Sequence, residues 1–506
     1  MIHLNLIDGG VVKYTTDLLK EKRMLHKSLQ YEFPDKEFSQ KYRDNKWDGY
    51  IRFYNKSQQT FPIGFLDIVI EYLNTNNIQY KYINSQQKFT TTCEISDKMR
   101  EYQIPAVKSF LKNKHGIIKI PTRGGKTFVA SECIRHIITS LPYSKVLFFT
   151  DSVDLFNQAI NDISSYFNIP KEHIGQIREQ IFDIKQITVC TIQTIHSMLF
   201  YNKRNIKSKE TLLKSRQRNK LLLNYIQEIN FLIVDECHEY SSKDRLSILN
   251  RFEHSEFKLF ISATPFKSES ELDNLNLRNV CGCVIYSIQE SDLKDSGFLA
   301  QDICVLFDVD HNSDKNIQIS IDDKFEQHIR EIITHNRTRN SILLNCIEIF
   351  RKMKLKTLVL FNRKEHGFYI QSITGDPFIT SDINKQSERE FLKTSFLRKK
   401  GGVLFASDVF KKGITLPEVE VFINAGGGLE QSLITQKRGR VMGTTEHKKK
   451  SMTIDFIDNF EHFSEHSLSR IRVYEKLIGI DNIYVLNDDK NMYNDFKDIV
   501  KTWFNI

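Results

Sequence analysis

Short apolar runs alternate with stretches of helical periodicity through the middle of the chain. Within residues 93–300 these runs are Gly116–Ile120, Lys145–Phe149, Ile187–Thr191, Phe231–Val234 and Phe257–Ile261. Apolar runs of this length, separated by helical stretches, are typical of buried strands joined by crossover helices. The pattern predicts an α/β domain built on a doubly wound parallel sheet.

The same alternation restarts beyond Gln301, so a second α/β domain is expected over residues 301–465. Its candidate strands are Thr357–Phe361, Gly402–Phe405 and Glu420–Ala425. The segment Gln289–Ala300 is the predicted hinge between the two domains.

The two ends of the chain are predicted to form smaller parts. Residues 1–92 mix short strand-like and helical stretches and are expected to form a small α+β domain that precedes the two larger ones. Residues 466–506 are expected to form a C-terminal extension that packs on the second domain.

Composition narrows the class of protein only slightly. The chain has 506 residues, of which 40% are hydrophobic and 27% charged, as in ordinary globular proteins. A net charge of +9 permits a polyanionic partner without requiring one. The eight cysteines lack zinc-ligand spacing, and neither a signal peptide nor an apolar stretch of about 18 residues is present. A soluble protein of the reducing cytoplasm is expected.

A glycine-containing loop stands between a predicted strand and a predicted helix. Its sequence is Pro121-Thr122-Arg123-Gly124-Gly125-Lys126-Thr127. Glycines let backbone N–H groups curl round a phosphate, and the helix start adds a positive dipole. Lys126 is expected to reach the β- and γ-phosphates of ATP, and Thr127 to bind Mg²⁺. A chance occurrence of Gly-Lys-Thr is the alternative, although the flanking elements are those a phosphate-binding loop needs.

An acidic pair follows the buried run Phe231–Val234. In Asp235-Glu236-Cys237-His238, Asp235 is expected to bind Mg²⁺ and Glu236 to orient and deprotonate the attacking water. His238 is expected to couple the nucleotide to the next motif, Ser262-Ala263-Thr264. A solvated Asp-Glu pair after a strand is the alternative, and its pairing with Lys126 makes that reading improbable.

These motifs, in this order, resemble those of superfamily 2 helicases, which implies two RecA-like domains. Arg100 and Gln103 resemble the adenine-contact element of that group, and Thr122, Gly124, Gly125 and Gly413 belong to stretches that bind nucleotide. Leu358–Phe361, Phe405–Pro417 and Gln436–Arg440 resemble motifs IV, V and VI. The resemblance implies that Gln436 and Arg440 take part in catalysis, with Arg440 reaching the γ-phosphate.

Three positions depart from the helicase pattern. Thr122-Arg123 stands where many helicases have Thr-Gly, Thr415 stands where motif V often has Asp, and Gly443 replaces the second arginine of motif VI. We therefore expect Arg440 to act alone, or Lys437 and Arg438 to assist it. Slow hydrolysis, or hydrolysis that needs DNA to assemble the site, is a further expectation.

The resemblance also indicates where a nucleic-acid strand is held. The matching residues are Gln158, Thr191, Gln193, Thr194, Phe361 and Thr415. Apart from Phe361, these residues have hydroxyl or amide groups that suit phosphate contact without base reading, so binding is expected to be sequence-independent and salt-sensitive. The basic run Lys203–Lys220 is interpreted either as a solvated helix face or as a backbone contact. Lys448-Lys449-Lys450 is interpreted as a plain surface loop.

Aromatic and cationic residues interleave in the N-terminal part, between Lys41 and Phe53. Lys46, Trp47 and Arg52 suit base stacking beside phosphate neutralisation, although a hairpin turn with Trp47 in a small core is an equal alternative. Asn45–Gly49, with Phe61–Phe65 further on, is similar to the N-terminal module of UvsW helicases, which remodel forks and recombination intermediates in T-even-type bacteriophages.

The UvsW resemblance implies an ATP-dependent DNA helicase that moves 3′ to 5′ and remodels branched DNA, with the N-terminal domain as a nucleic-acid-binding module. Two alternatives stay open. One is an RNA helicase or the translocating subunit of a restriction-type system. The other is a nucleotide-gated binding or annealing protein with little turnover, which Gly443 favours and the intact Lys126 and Glu236 oppose.

Overall fold

The structure, a computed structural model, describes the chain apart from residues 8, 201–208, 267–269, 310, 312–324, 381, 384–385, 408–415, 429–434, 436–437, 440 and 488. It divides into two compact units. The first comprises Met1–Ile120 and Gly125–Ile288, and the second comprises Gln289–Ile506 together with the loop segment Pro121–Gly124.

The first unit opens with a four-stranded mixed sheet of order β5-β2-β1-β6 and a separate two-stranded antiparallel sheet, β3-β4. Ile2, Leu4 and Leu6 point to the buried side of β1 while the residues between them face outward, which is the alternation of a half-buried strand. The elements are β1 (Ile2–Ile7), β2 (Val11–Thr15), α1 (Leu19–Ser28), β3 (Gln30–Glu32), α2 (Gln40–Arg43), β4 (Tyr50–Arg52), β5 (Thr60–Pro62), α3 (Leu66–Thr75) and β6 (Tyr80–Asn84).

An eight-stranded sheet of order β10-β9-β11-β8-β12-β13-β7-β14 forms the rest of the first unit. All its strand pairs are parallel except β9 with β10. The elements are α4 (Gln103–Asn113), β7 (His115–Lys119), α5 (Lys126–Ser140), β8 (Lys145–Thr150), α6 (Val153–Phe167), β9 (Gly175–Arg178), β10 (Ile181–Asp183), β11 (Ile187–Thr191), α7 (Ile192–Leu199), α8 (Lys209–Gln227), β12 (Ile229–Asp235), α9 (Lys243–Leu249), β13 (Phe257–Ser262), α10 (Glu271–Cys281) and β14 (Val284–Ser287).

The small N-terminal domain packs on α10 of the α/β domain. Arg278 donates to the carbonyl oxygen of Gly64 at 2.9 Å and to the Asp67 carboxylate at 2.8 Å. A Cβ atom at Gly64 would collide with the Arg278 carbonyl, so this close backbone approach requires glycine. Leu272 and Leu275 of α10 also pack against the N-terminal core. The two domains of the first unit thus share a packed interface.

The second unit holds a seven-stranded, wholly parallel sheet of order β17-β18-β16-β19-β20-β15-β21. The elements are α11 (Glu290–Asp295), β15 (Gln301–Val309), α12 (Phe325–Ile329), a π-helical turn (Arg330–Thr334), α13 (Arg337–Lys352), β16 (Lys356–Leu360), α14 (Lys364–Thr374), β17 (Phe378–Ile379), α15 (Gln386–Leu397), β18 (Gly402–Ala406), β19 (Val421–Asn424), β20 (Lys450–Asp458), α16 (Glu461–Ile478), β21 (Ile483–Asn487) and α17 (Met492–Phe504).

The predicted fold class is confirmed: two α/β domains with parallel sheets follow a small α+β domain. The predicted strands lie within about one or two residues of those in the structure. The domain bounds stay a prediction. The first compact unit ends at Ile288, next to the start of the predicted hinge at Gln289. Beyond residue 465 the chain contributes edge strand β21 to the second sheet, and Met492, Phe496 and Val500 of α17 join its core.

No helix among the described residues is long and apolar enough to span a bilayer.

Candidate active site

The parallel sheet of the first unit brings three motifs to one edge. Strands β12, β13 and β7 are neighbours, and Asp235 pairs in register with Ile261, while Ser262 pairs with Lys119. The phosphate-binding loop leaves β7 immediately afterwards. Parallel strands end at the same edge, which is where open α/β sheets bind ligands. Motifs that are far apart in sequence therefore meet at one candidate site.

Two residues of this site have left-handed backbone conformations that favour glycine. Arg123, in the phosphate-binding loop, has φ +72°, and Glu236, in the acidic motif, has φ +49°. Side chains other than Gly, Asn and Asp seldom adopt this region, and such conformations cluster at functional sites. Gly125, with φ +76°, meets the same requirement at no steric cost and precedes Lys126, the first residue of α5.

Gln103 ties the predicted adenine-contact element to the loop. Its side-chain oxygen accepts from the backbone N–H of Arg100 at 3.0 Å, and its amide lies against Gly125, where any Cβ atom would collide with it. Gln103 is buried and Arg100 is exposed, with its guanidinium 3.2 Å from the Tyr102 hydroxyl. An adenine contact by these two residues stays a prediction, but the glycine requirement at 125 has a structural cause.

Lys126 forms an ion pair with Glu236, and both side chains are largely enclosed, at 11% and 18% exposure. Burial by itself would lower the pKa of Lys126, but the negative charges of Glu236 and Asp235 have the larger effect, so the net shift of the pKa is upward. Burial raises the pKa of Asp235 to about 6. The positive charge of Lys126 opposes this shift, and the negative charge of Glu236 adds to it. The arrangement places one cation and two carboxylates in a poorly solvated position.

The donor set at this position fits Mg²⁺, since carboxylate and hydroxyl oxygens are its preferred ligands. Asp235 is buried, so its carboxylate has little solvation of its own, and a divalent cation would stabilise its charge. Thr127 and Asp235 are the residues that would hold the ion. When bound there, Mg²⁺ would neutralise part of the negative charge of the nucleotide phosphates.

His238 connects the acidic motif to the Ser-Ala-Thr motif. Its Nδ1 atom lies 2.7 Å from Ser262 Oγ and 3.3 Å from a carboxylate oxygen of Glu236, while its Nε2 atom lies 3.0 Å from Glu239. The Ser262 hydroxyl also accepts from the backbone N–H of Thr264. His238 is therefore placed to transmit a change at Glu236 to the end of β13.

A buried carboxylate behind the loop, Glu132 on α5, was not singled out from the sequence. It accepts from Arg135, from the Tyr166 hydroxyl and from the backbone N–H of Ser96. These bonds hold the pKa of Glu132 far below its usual range despite its burial. They also tie the segment before Arg100 to the helix that Lys126 begins. A lone Glu in a helical stretch gives no sequence signal of this role.

Arg438 does not have the role expected of it. The expectation that it assists Arg440 at the phosphate is inconsistent with its position, because its guanidinium is fully buried in unit two and bonded to Asp302 and Glu290. Lys294 bonds to Asp302 at 2.6 Å and completes the cluster. The side chain is committed to an internal ionic network.

The interpretation of Lys448–Lys450 as a plain surface loop is also wrong. Lys448 is buried and donates to the Val441 carbonyl oxygen, and Lys450 begins β20. Three adjacent lysines look the same in sequence whether they lie in a solvated loop or lead into a β-strand.

Several predicted residues lie outside the described part of the chain. They are Gln436, Lys437, Arg440, Gly413 and Thr415, together with the first part of the basic run, residues 203–208. In the described part of α8, Lys214, Arg216 and Lys220 are exposed, while Arg218 donates to the Glu179 carbonyl oxygen at 2.8 Å.

The predicted nucleic-acid contacts of the α/β domains divide into exposed and buried side chains. Gln158 and Gln193 are exposed, and Gln193 donates to the Asp151 carbonyl oxygen. The Thr191 and Thr194 hydroxyls are buried and lie 2.9 Å apart. Phe361 is buried among aromatic rings of the second unit, with Phe378, Phe405 and His366 around it.

The predicted contacts in the N-terminal domain are partly used internally. Trp47 is half-buried, its indole N–H donates to the Tyr50 carbonyl oxygen, and its ring lies 5.9 Å from that of Phe33. Arg52 is paired with Asp48, whereas Lys46 is 72% exposed and lies 3.1 Å from Asp44. Trp47 thus packs in a small local core, as the alternative expects, but Asp48-Gly49 does not join two paired strands, because β4 pairs with β3.

Phe38 is the exposed aromatic of this region, which sequence reasoning missed. It is 81% exposed, just before α2, and the Arg43 guanidinium reaches its carbonyl oxygen at 3.5 Å. Lys41 and Arg43 are also exposed. Exposure cannot be read from aromatic residues in sequence, so the interleaved pattern pointed to Trp47 instead of Phe38.

The phosphate loop and the acidic motif lie at the edge of one parallel sheet, and a second parallel-sheet unit follows in the chain. This combination is typical of nucleotide-driven motor proteins. Two protein-family models match in the corresponding order. "Type III restriction enzyme, res subunit" matches residues 96–267, and "Helicase conserved C-terminal domain" matches residues 323–443, together more than half of the chain.

Individual proteins that the chain resembles agree with these matches. "ATP-dependent DNA helicase uvsW" of Enterobacteria phage T4 is 20% identical over 452 residues, covering 83% of this chain and 84% of that protein. "DNA 3'-5' translocase XPB2" of Sulfurisphaera tokodaii is 25% identical over 414 residues, covering 75% and 85%. The solved structure of S. cerevisiae Dbp5 bound to RNA and ADP BeF3 shares the fold, with a TM-score of 0.55 at 15% identity over 80% of this chain and 93% of that one.

The chain belongs to the superfamily 2 helicases, whose two conserved domains it carries in order, and it is similar along most of its length to the UvsW helicase. It is accordingly an ATP-dependent helicase.

Proposed function

We propose that this helicase acts on DNA, translocating 3′ to 5′ along one strand and remodelling branched molecules of the kind formed in recombination and repair. The observation that supports its ATP turnover best is the enclosed ion pair of Lys126 with Glu236, beside Asp235. The choice of DNA over RNA, and the direction, are supported by relatives named as a DNA helicase and as a DNA 3'-5' translocase.

In the proposed reaction, a water oxygen bonds to the γ-phosphorus while the bond from that phosphorus to the β–γ bridging oxygen breaks. The electron pair of the broken bond leaves on ADP, and a proton of the water passes to the Glu236 carboxylate. Lys126 stabilises the negative charge on the phosphate oxygens. A cation that is already in position in a poorly solvated site does this more effectively than one in water. His238 then conveys the changed state of Glu236 to Ser262.

The test is ATP hydrolysis by the full chain with no nucleic acid, with single-stranded DNA, with a four-way DNA junction and with RNA of the same sequence. We expect the junction to stimulate hydrolysis most. Stimulation by RNA alone would contradict the choice of DNA. Binding of DNA without turnover under any condition would favour the nucleotide-gated binding protein, which the glycine at position 443 supports.

We further expect Phe38→Ala to weaken junction binding about tenfold, because one base stacked on an aromatic ring contributes roughly 1–3 kcal/mol. Phe38 stands exposed beside the cations Lys41 and Arg43, as a stacking residue next to phosphate contacts would. Fluorescence anisotropy of a labelled junction measures the change.

The matched control for Phe38 is Tyr143→Ala, since Tyr143 is another exposed aromatic, at 97%, in the α/β domain of the same unit. It should leave junction affinity unchanged. Equal losses in the two variants, or none in Phe38→Ala, would remove Phe38 from the binding surface.

A further inference from the structure

Two departures from the helicase pattern meet in space. Arg123 stands where the phosphate loop often has glycine, and Gly443 stands where motif VI normally has its second arginine. Both lie in the second compact unit, to which Pro121–Gly124 belongs. A Cβ atom on Gly443 would lie 2.9 Å from Arg123 Nε and 3.0 Å from Cζ, closer than side chains normally approach, and closer still to Nη2. The Arg123 guanidinium occupies the space that a side chain at 443 would take.

The backbone of Arg123 is held in a conformation that its side chain disfavours. Its φ of +72° lies in the left-handed region, where a glycine would be free of the steric cost. Retaining an arginine there costs on the order of 1 kcal/mol relative to glycine. The backbone conformation at this position favours glycine, so the side chain of Arg123 is the feature that needs an explanation.

Positive charge is concentrated beside Gly443. Lys448 is buried and donates to the Val441 carbonyl oxygen, two residues before Gly443. Burial, with the nearby Arg123 charge adding to it, lowers the pKa of Lys448 to about 7. Arg438, by contrast, is bonded to Asp302 and Glu290. The carboxylates of Glu420 and Asp302 oppose this lowering of the Lys448 pKa without cancelling it, so an anion beside the two cations would be stabilised.

We propose that Arg123 supplies, from within the phosphate loop, the positive charge that motif VI lacks at Gly443, and that it contacts the γ-phosphate as ATP is hydrolysed. Arg123 precedes Lys126 by three residues in the loop that encloses the phosphates. Its charge stabilises the transition state, in which negative charge spreads over the γ-phosphoryl oxygens and the bridging oxygen that leaves with ADP. This inference rests on the proposed function only in requiring that ATP binds at this loop.

The decisive comparison uses Arg123→Gly and the exchange variant Arg123→Gly with Gly443→Arg. Glycine relieves the left-handed backbone, and urea unfolding followed by circular dichroism checks that the single variant is folded before its activity is compared. We expect its DNA-stimulated kcat to fall about 10²- to 10³-fold, as on removal of one transition-state contact, with KM for ATP changed far less. The exchange variant should recover at least a tenth of the natural rate, because an arginine at 443 returns the charge to the space that Arg123 vacates.

A binding measurement separates this inference from the proposed function. ADP with aluminium fluoride mimics the phosphoryl group in flight, and ADP alone does not. We expect Arg123→Gly to lose affinity for the fluoride complex by a similar large factor while its affinity for ADP stays within about threefold. A natural chain that binds nucleotide without turnover would contradict the proposed function, and Arg123 would then be judged on this comparison alone.

Arg123→Gly that hydrolyses ATP at the natural rate and retains affinity for the fluoride complex would overturn the inference. So would a loss of affinity for ADP as large as that for the fluoride complex, because it would give Arg123 only a structural or general binding role.

Discussion

Glu236→Gln is expected to lower DNA-stimulated ATP turnover by about 10²- to 10⁴-fold, the usual contribution of a general base, while ATP still binds. The amide keeps the size of the side chain but cannot take the proton of the attacking water. It also removes the carboxylate that forms the ion pair with Lys126, which favours pairing of Lys126 with the phosphates. Steady-state hydrolysis and equilibrium binding of a fluorescent ATP analogue measure the two effects separately.

The control for this variant is Glu228→Gln. Glu228 is an exposed carboxylate in the same unit, paired with Lys145 at the surface, at the opposite end of β12 from the site. It should hydrolyse ATP at the natural rate, since exposed ion pairs contribute little. Retained turnover in Glu236→Gln would remove Glu236 as the base.

Lys126→Ala should also abolish turnover, but through lost phosphate binding.

Arg438→Ala is expected to destabilise the protein by roughly 3–5 kcal/mol, because it leaves the buried Asp302 and the nearly buried Glu290 without their main cationic partner. Burial and these two carboxylates act in opposition on the pKa of Arg438, and the net shift is upward, which shows that the carboxylates outweigh desolvation. Urea unfolding followed by circular dichroism gives the change in midpoint.

Arg472→Ala is the control for Arg438→Ala, since Arg472 is an exposed arginine of the same unit. Its unfolding midpoint should match that of the natural chain. If Arg438→Ala unfolds at the natural midpoint but loses turnover, Arg438 is a catalytic arginine after all, and its ionic network must open when ATP binds.

These expectations imply a different distribution of arginines from the one the motifs predicted. Arg438 belongs to the internal support of the second unit, and Arg123 lies against Gly443. Arg440 lies outside the described residues, so its reach to the γ-phosphate stays a prediction. The variants at positions 123, 236 and 438 test three different roles: contact with the phosphate, transfer of the water proton, and stability of the fold.

The N-terminal domain raises a similar distinction. The interleaved aromatics and cations predicted a stacking surface, but Trp47 packs locally and Arg52 is paired with Asp48. Phe38 is the exposed ring. The Gly64 motif, part of the resemblance to UvsW helicases, has a structural role, because its backbone meets that of α10. Part of the resemblance therefore reflects how the domain is attached to its neighbour.

The sequence by itself determined the parallel sheets and the chemistry at their edge. Buried parallel strands appear as short apolar runs, and a phosphate loop or an Asp-Glu pair is contiguous, so both signals are local. Because parallel strands end at one edge, the sequence also places Lys126 and Glu236 at the same edge, whereas their contact depends on the strand order that the structure supplies.

Only the tertiary structure decided which charged and aromatic side chains are available. The burial of Arg438 against Asp302 and the approach of Arg123 to Gly443 depend on contacts between residues far apart in the chain. The exposure of Phe38 rather than Trp47 depends on how the short elements around them pack. An arginine in a motif looks the same in sequence whether it faces a phosphate or a buried carboxylate. Its partner, which the fold supplies, sets both its energy and its role.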